Sequence, residues 1–102
     1  MAFVVELTYE AENDLDGIRS FHRNQILDAL DNFLQHTPTQ ISRSRIKRLR
    51  EIDSPAYRLR VGEHRVYYDV DLAEKTVTVL RILTKEQSLR YLNEVADEDN
   101  DD

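Results

Sequence analysis

Alternating apolar positions predict four β-strands in this chain. The alternation predicts a first strand over residues 3–7, then strands over 57–61 and 65–70 that flank Gly62, and a fourth over 76–83. Gly62-Glu63 suits a two-residue turn with glycine first, so the second and third predicted strands form a hairpin. These short connections favour antiparallel pairing.

Apolar residues three or four positions apart predict helices elsewhere. Two such stripes within residues 11–34 indicate a helical hairpin, which Pro38 ends. The acids of residues 10–16 suit the positive end of the first helix and an exposed surface. Thr84 and Gln87 fit a T-x-x-Q capping box that opens a last helix.

The predicted order is β-α-α-β-β-β-α, an α+β fold with a small antiparallel sheet, an N-terminal helical hairpin and a C-terminal helix. Residues 39–54 read as a mostly irregular connection, with a short strand near 46–50 as an option. We expect a single domain over residues 1–96. Residues 97–102 carry five acids and no apolar side chain, which predicts a disordered tail.

Length and composition exclude several classes of protein. A chain of 102 residues without cysteine predicts one domain with neither disulfides nor a cysteine-based zinc site. No apolar run approaches the ~18 residues of a membrane span. The first residues lack the charged region of a signal peptide, so we expect a cytoplasmic protein.

The charge is unevenly distributed along the chain. The formal net charge of −6 argues against a nucleic-acid partner at first sight. Residues 43–65, however, carry eight bases against three acids, a net charge of +5. A basic centre therefore lies between an acidic first third and an acidic tail.

The register of the predicted hairpin gathers arginines on one face of the sheet. A two-residue turn places Arg60 opposite Arg65 and Arg58 opposite Tyr67. Cross-strand partners share a face, so these four side chains lie together, away from the core. Two like charges in direct opposition destabilise a hairpin, whereas guanidiniums provide a planar fork of donors for phosphate. The face is either an ordinary solvated surface or an anion or RNA site, and the basic residues at 43–50 favour the second interpretation.

Other residues give weaker signals. His22, His36 and His64 are scattered without the spacing of metal ligands, so no metal site or cofactor is predicted. Tyr91 on the last helix either packs internally or faces the basic surface, and helical spacing leaves both alternatives open.

The segment from Ile46 to Arg50 and the motif Y-R-L-R-V-G-E-H-R-V-Y-Y-D-V at residues 57–70 resemble the RelE/ParE superfamily of toxins from type II toxin–antitoxin systems, in particular the RelE-like branch. The strand at 77–83 and the upstream helical hairpin also fit this resemblance. Leu83-Thr84-Lys85 departs from the Gly-His-Arg or Gly-Lys-Arg segment of many RelE-like members.

The resemblance implies a metal-independent endoribonuclease, an mRNA interferase that inhibits translation at the ribosomal A site. Its reaction is attack of a ribose 2′-OH on the adjacent phosphate. Arg65 would stabilise the scissile phosphate, and Arg58 and Arg60 would hold flanking phosphates. Lys85 is a candidate acid or electrostatic helper, and Tyr91 a candidate base or stacking platform. The residues expected to contact RNA are Arg43, Arg45, Lys47, Arg48, Arg50, Tyr67 and Arg81.

The resemblance also implies partners. These are a cognate antitoxin protein, the ribosome with its mRNA, and operator DNA only indirectly through the antitoxin; no membrane is implied. Two alternatives remain open, a ParE-like gyrase inhibitor and an inactive relative with a binding or regulatory role.

Overall fold

The computed structural model describes the backbone of residues 2–99 and the side chains of residues 2–96. It has an α+β fold in which helices pack on a five-stranded sheet. The elements are β1 (Val4–Leu7), α1 (Tyr9–Asp16), α2 (Ser20–Ala29), a π-helical turn (Leu30–Leu34), β2 (Ile46–Arg48), β3 (Tyr57–Val61), β4 (His64–Asp71), β5 (Thr76–Thr84) and α3 (Lys85–Asp99).

The sheet is mixed, with the strand order β1-β5-β4-β3-β2. The strands from β2 to β5 pair antiparallel, as the short connections predicted, and the optional strand near 46–50 is β2. The prediction of a purely antiparallel sheet is wrong for β1, which runs parallel to β5. Parallel neighbours require a long connection, and here about two thirds of the chain separates the two strands.

The β3–β4 hairpin confirms the predicted register. Arg60 pairs with Arg65, Arg58 with Tyr67, and Val61 with His64. Gly62 has φ of +58°, a conformation that glycine adopts without a steric penalty, and it lies at the first turn position. The Gly62-Glu63 turn thereby determines which side chains share each face of the hairpin.

A β-bulge interrupts the pairing of β4 with β5. Tyr67 pairs with Arg81 whereas the next residue, Tyr68, pairs with Val79, so Leu80 is an extra residue. Because faces alternate along a strand, this insertion leaves both Val79 and Ile82 in the core and Arg81 on the opposite face.

The core lies between the sheet and the helical hairpin of α1 and α2. Ile26, Leu34, Leu59, Val66 and Val79 are almost completely inaccessible to solvent. This arrangement confirms the amphipathic stripes that predicted the helices, and their burial is the main stabilising term of the fold.

Two polar contacts anchor the hairpin of helices. The hydroxyl of Thr8 accepts a hydrogen bond from the Ala11 amide at 3.1 Å and so caps α1. The buried phenol of Tyr68 donates to the carbonyl of Pro38 at 2.7 Å, linking β4 to the segment after the π-helical turn.

The capping box at the start of α3 is confirmed. The Gln87 amide donates to the hydroxyl of Thr84 at 3.2 Å, and the Gln87 side chain accepts from the Thr84 amide at 3.0 Å. The helix extends to Asp99, beyond the predicted domain end at Ala96, because nothing in residues 97–99 breaks a helix. The remainder of the predicted tail lies outside the described residues. None of the helices in the described chain is long and apolar enough to cross a membrane.

Candidate functional site

The outer face of the β3–β4 hairpin presents three arginines, which we call the arginine surface: Arg58, Arg60 and Arg65. Arg58 and Arg60 come from alternate positions of β3, and Arg65 comes from β4 opposite Arg60. Arg60 is exposed and the other two are partly buried. None of the three forms an ion pair with a carboxylate of the described residues. The surface therefore keeps its positive charge available for an external anion.

Arg58 is the deepest member of the arginine surface. Its Nε atom is buried and has no hydrogen-bond partner among the described residues. Burial lowers the pKa of Arg58, and the neighbouring charges of Arg65 and Arg60 lower it further. A buried donor without an acceptor is costly in free energy, and an anion at this position would relieve both the missing bond and the repulsion.

Arg65 is oriented by the turn that precedes it. Its Nη1 atom donates to the carbonyl of Gly62 at 3.0 Å and to that of His64 at 3.0 Å. These two bonds use one nitrogen of the guanidinium, and its other donors remain available for a ligand. The turn therefore both sets the hairpin register and orients this side chain.

Tyr67 lies on the same face as the arginines but is only 1% exposed, because α3 packs across it. Its ring contacts that of Tyr91, with 5.3 Å between the centroids. Tyr67 was predicted to contact RNA, and in this structure its side chain has almost no exposed surface to offer a ligand. The ring of Tyr67 instead packs against the ring of Tyr91 and helps to hold it in place.

Tyr91 lies at the edge of the arginine surface and is partly buried. Its burial raises the pKa of the phenol to about 12, although nearby Arg81 acts in the opposite direction. A general base works best with a pKa near the operating pH, so the phenol at neutral pH is a poor base. Of the two predicted roles, the environment favours a stacking platform that keeps its proton.

Arg81 is held by an acid from the first helix. Its Nε donates to Oδ2 of Asp14 at 2.7 Å and its Nη2 to Oδ1 at 3.0 Å. The Ile82 amide also donates to this carboxylate at 3.0 Å. Hydrogen bonding to Asp14 is the main cause that raises the pKa of Arg81. The structure thus gives Arg81, predicted to bind RNA, an internal partner, and shows that Asp14 is more than a surface acid.

Lys85 is the first residue of α3 and is exposed. The capping box of Thr84 and Gln87 determines where the helix begins, and so where Lys85 leaves the sheet. Leu83, two residues earlier, pairs with Arg65 across the strands. Lys85 thus follows the strand end that lies beside Arg65.

The basic segment at 43–50 divides into two groups. The guanidinium of Arg45 lies 4.6 Å from the centroid of the Phe33 ring, and Arg48 donates to the carbonyls of Leu49 and Ala56. These two side chains help to hold the connection in place. The predicted RNA contacts without such internal partners among the described residues are Arg43, Lys47 and Arg50, all exposed.

Sequence reasoning missed a second cluster, formed by His22 and His64. The two residues are far apart in the chain, yet their ring centroids lie 5.6 Å apart. His64 lies next to the Gly62-Glu63 turn and packs against α2, and no local sequence spacing could indicate this contact. In the part of the chain that the structure describes, no three histidine, aspartate or glutamate side chains are grouped to hold a metal ion.

Comparison with known proteins agrees with the fold and the hairpin. Residues 5–89 match the family model of the ParE toxin of the type II toxin–antitoxin system, parDE. No curated protein sequence matches the chain.

Several solved toxin structures are similar in fold. The toxin–antitoxin complex RelBE2 of Mycobacterium tuberculosis aligns with a TM-score of 0.73 at 22% identity, covering 83% of this chain and all of that one. A mutant of the Escherichia coli toxin RelE in the free state aligns at 0.69 and 22% identity, covering 96% and 97%. The archaeal RelE–RelB complex of Pyrococcus horikoshii aligns at 0.69 and 22%, covering 83% and 97%.

Proposed function

This chain belongs to the family of ParE toxins of type II toxin–antitoxin systems, within the RelE/ParE superfamily, and from that premise we propose that it is a toxin that cleaves mRNA on the ribosome. The observation that carries the proposal is the buried, unpartnered Nε of Arg58 beside two further guanidiniums, those of Arg60 and Arg65. A phosphodiester backbone provides the anionic acceptors that this arrangement lacks.

The arrangement suits attack of a 2′-OH on the neighbouring phosphate. In the attack, the 2′-OH gives its proton to solvent water and O2′ bonds to phosphorus. The bond from phosphorus to the 5′-oxygen breaks, and that oxygen takes up a proton, leaving a cyclic phosphate and a free 5′-hydroxyl. Negative charge accumulates on the phosphoryl oxygens in the transition state. Arg65, oriented by the turn carbonyls, and Arg58 would stabilise that charge, while the more exposed Arg60 would hold a flanking phosphate.

Lys85 and Tyr91 complete the proposed site from the C-terminal helix. Lys85 would place a cation near the leaving oxygen, as an acid or as an electrostatic helper. Tyr91, with its phenol protonated at neutral pH, would stack on a nucleobase next to the scissile phosphate. The exposed cations Arg43, Lys47 and Arg50 would contact ribosomal RNA through its phosphates.

The proposal includes a protein partner. Several of the similar solved structures are complexes of RelE with the antitoxin RelB, and we propose that a cognate antitoxin binds this protein as well. Operator DNA would be contacted through the antitoxin. Ribosomes are cytoplasmic, so the proposed site of action is the cytoplasm.

The experiment is to add the purified protein to a translation reaction and to map the 5′ ends of the mRNA by primer extension. We expect new ends within the codon in the ribosomal A site, and none with mRNA alone. An Arg58→Gln variant should lose the cleavage, whereas Arg23→Gln, a change of the same type on α2, should retain it. Intact mRNA at saturating wild-type protein would disprove the endonuclease function.

The family model favours a second candidate function, inhibition of DNA gyrase by a ParE-like toxin. This function requires binding to a topoisomerase and no cleavage of RNA. A gyrase supercoiling assay separates the two candidates, because a RelE-like nuclease should leave supercoiling unchanged. Inactivity in both assays, with no slowing of growth on expression, would point to an inactive binding or regulatory relative.

A further inference from the structure

A cleft with a mixed polar and apolar lining lies on the other side of the sheet from the arginine surface. It has a volume of about 390 Å³ and opens between the α1–α2 connection, the start of β4 and the first turn of α3. The residues in its wall that matter here are Arg19, His22, His64, Thr84 and Gln87. None of these side chains is assigned a contact with RNA in the proposed nuclease function.

His64 is a buried polar side chain that faces this cleft. It is 9% exposed, its ring makes no hydrogen bond to residues 2–96, and its ring nitrogens still reach solvent. Its closest aromatic neighbour is His22, at 5.6 Å between ring centroids. A buried imidazole normally satisfies its ring nitrogens with partners in the protein. At His64 the ring borders the cleft, so a ligand bound there can replace solvent as the hydrogen-bond partner of the ring nitrogens.

The first turn of α2 forms part of the same wall. This helix of ten residues begins at Ser20, and its N-cap residue, Arg19, makes no side-chain capping bond. The amides of the first turn, from Ser20 to His22, are therefore not satisfied by a cap, and the helix dipole adds partial positive charge at this end. Arg19 itself is exposed and adds a full positive charge.

One acid also lines the cleft, but it is already neutralised. Both carboxylate oxygens of Asp14 accept hydrogen bonds from Arg81, and one of them accepts a further bond from the Ile82 amide. The net charge that the cleft presents to a ligand is therefore positive. Such a balance selects a small oxyanion and disfavours a cation.

We propose that this cleft binds an oxyanion, the phosphate or carboxylate group of a ligand, through Arg19, His22, His64 and the first turn of α2. The site is separate from the proposed RNA site, because His64 lies on the core face of the hairpin and the arginine surface lies on the outer face. The inference therefore holds or fails independently of mRNA cleavage.

The site should bind anions more tightly as the pH falls. Burial lowers the pKa of His64, and His22 lowers it further. Glu63 raises this pKa and Arg65 lowers it, and the cleft adds Arg19 and the paired Asp14. A bound anion favours the imidazolium form and so raises the pKa. By linkage, protonation of His64 must then strengthen anion binding by the same factor.

The experiment follows the ring resonances of His22 and His64 by NMR in the full chain, during titration with sodium sulfate at constant ionic strength. Sulfate is a phosphate mimic whose charge stays constant between about pH 5.5 and about pH 8. Sodium acetate tests a carboxylate ligand, and sodium chloride is the control for ionic strength. We expect saturable shifts with sulfate or acetate. Binding should be about fivefold tighter at about pH 5.5 than at about pH 8.

Three variants localise the effect, one at the N-cap of α2, one within α2 and one on the hairpin. Arg19→Gln changes an exposed residue and should weaken binding about tenfold, as expected for loss of a charge-assisted hydrogen bond. Arg23→Gln, outside the cleft, and Arg60→Gln, on the arginine surface, should leave the histidine shifts unchanged. Sulfate shifts larger than those with acetate indicate a phosphate-bearing ligand, and the reverse indicates a carboxylate. Histidine shifts no larger than with chloride, or equal binding by wild type and Arg19→Gln, would overturn the proposal.

Discussion

Asp14 on α1 and Arg81 on β5 form a two-pronged ion pair across 67 residues of sequence, at 2.7 and 3.0 Å. The same carboxylate accepts from the Ile82 amide, at a point where β5 has passed beyond the end of β1. Asp14 thus replaces the missing neighbouring strand and links the first helix to the sheet. Because Arg81 also contacts the ring of Tyr91, this pair supports the candidate site.

Asp14→Asn tests this link. The amide retains one acceptor but loses the charge, and we expect the free energy of unfolding to fall by about 1–2 kcal/mol, a value that allows for the partial exposure of Arg81. Urea denaturation measures the change. Asp16→Asn, at an exposed position of the same helix, should have almost no effect. Equal stability of the two variants would show that the pair contributes little.

Arg60→Gln should separate stability from function. Arg60 lies directly opposite Arg65, so removing one charge should raise the free energy of unfolding by about 0.2–1 kcal/mol. At the same time, mRNA cleavage should fall about tenfold through loss of a phosphate contact. Urea denaturation and primer extension on the same preparations measure both effects. Loss of stability with unchanged cleavage would contradict an arginine surface kept for ligand binding.

Two substitutions of Tyr91 distinguish its proposed roles. If the ring stacks on a base, Tyr91→Phe should retain cleavage to within about threefold, while Tyr91→Ala should lose about 1–3 kcal/mol of stacking. If the phenol acts as a base, both variants should lose about 10²–10⁴-fold in rate. The raised pKa of the phenol leads us to expect the first result. Single-turnover cleavage rates on programmed ribosomes provide the measurement.

Lys85→Arg and Lys85→Gln separate a proton donor from an electrostatic helper. Arginine keeps the positive charge but holds its proton too tightly to act as an acid. Since Lys85 is exposed at the start of α3, we expect an electrostatic role, in which arginine retains most of the cleavage rate and glutamine loses about tenfold. A comparable loss with both substitutions would instead indicate that Lys85 protonates the leaving oxygen.

Alkaline pH should destabilise the fold through two tyrosines. Burial raises the pKa of Tyr68, and it raises that of Tyr91 from 10.0 to about 12. Between the pKa of an unfolded tyrosine, about 10, and the raised pKa values of the folded state, the folded protein holds protons that the unfolded chain has lost. The two tyrosines therefore contribute their full stabilisation below about pH 10, and this contribution falls as the pH rises above it. Denaturation midpoints at about pH 9 and about pH 11 measure the slope. Tyr68→Phe should flatten it, whereas Tyr9→Phe, at an exposed position, should leave it unchanged.

The hairpin could be predicted from sequence because its determinants are local. Alternation placed Leu59 and Val66 inward, and Gly62 gave the turn that pairs Arg60 with Arg65. The capping box at Thr84 and Gln87 was equally local, since both of its bonds lie within one helical turn.

What could not be predicted depends on packing between distant segments. Tyr67 alternates with core residues and so looked exposed, but α3 folds back over it. The Asp14–Arg81 pair and the His22–His64 contact join residues whose separation follows no helical or strand period. The direction of β1 likewise depends on how the entire chain returns to its first strand.

Leu80 has a consequence for the tolerance of β5 to mutation. One extra residue shifts the inward–outward alternation by half a period, so the two halves of the strand have opposite phase. An insertion or deletion of one residue in β5 therefore exchanges inward-facing and outward-facing side chains, which a change of length in a loop does not do. Removing Leu80 would restore a simple alternation along the strand. Either Val77 and Val79 would then leave the core, or Ile82 would leave it and Arg81 would point inward. Among natural variants of this chain, the length of β5 should consequently be more constant than its composition.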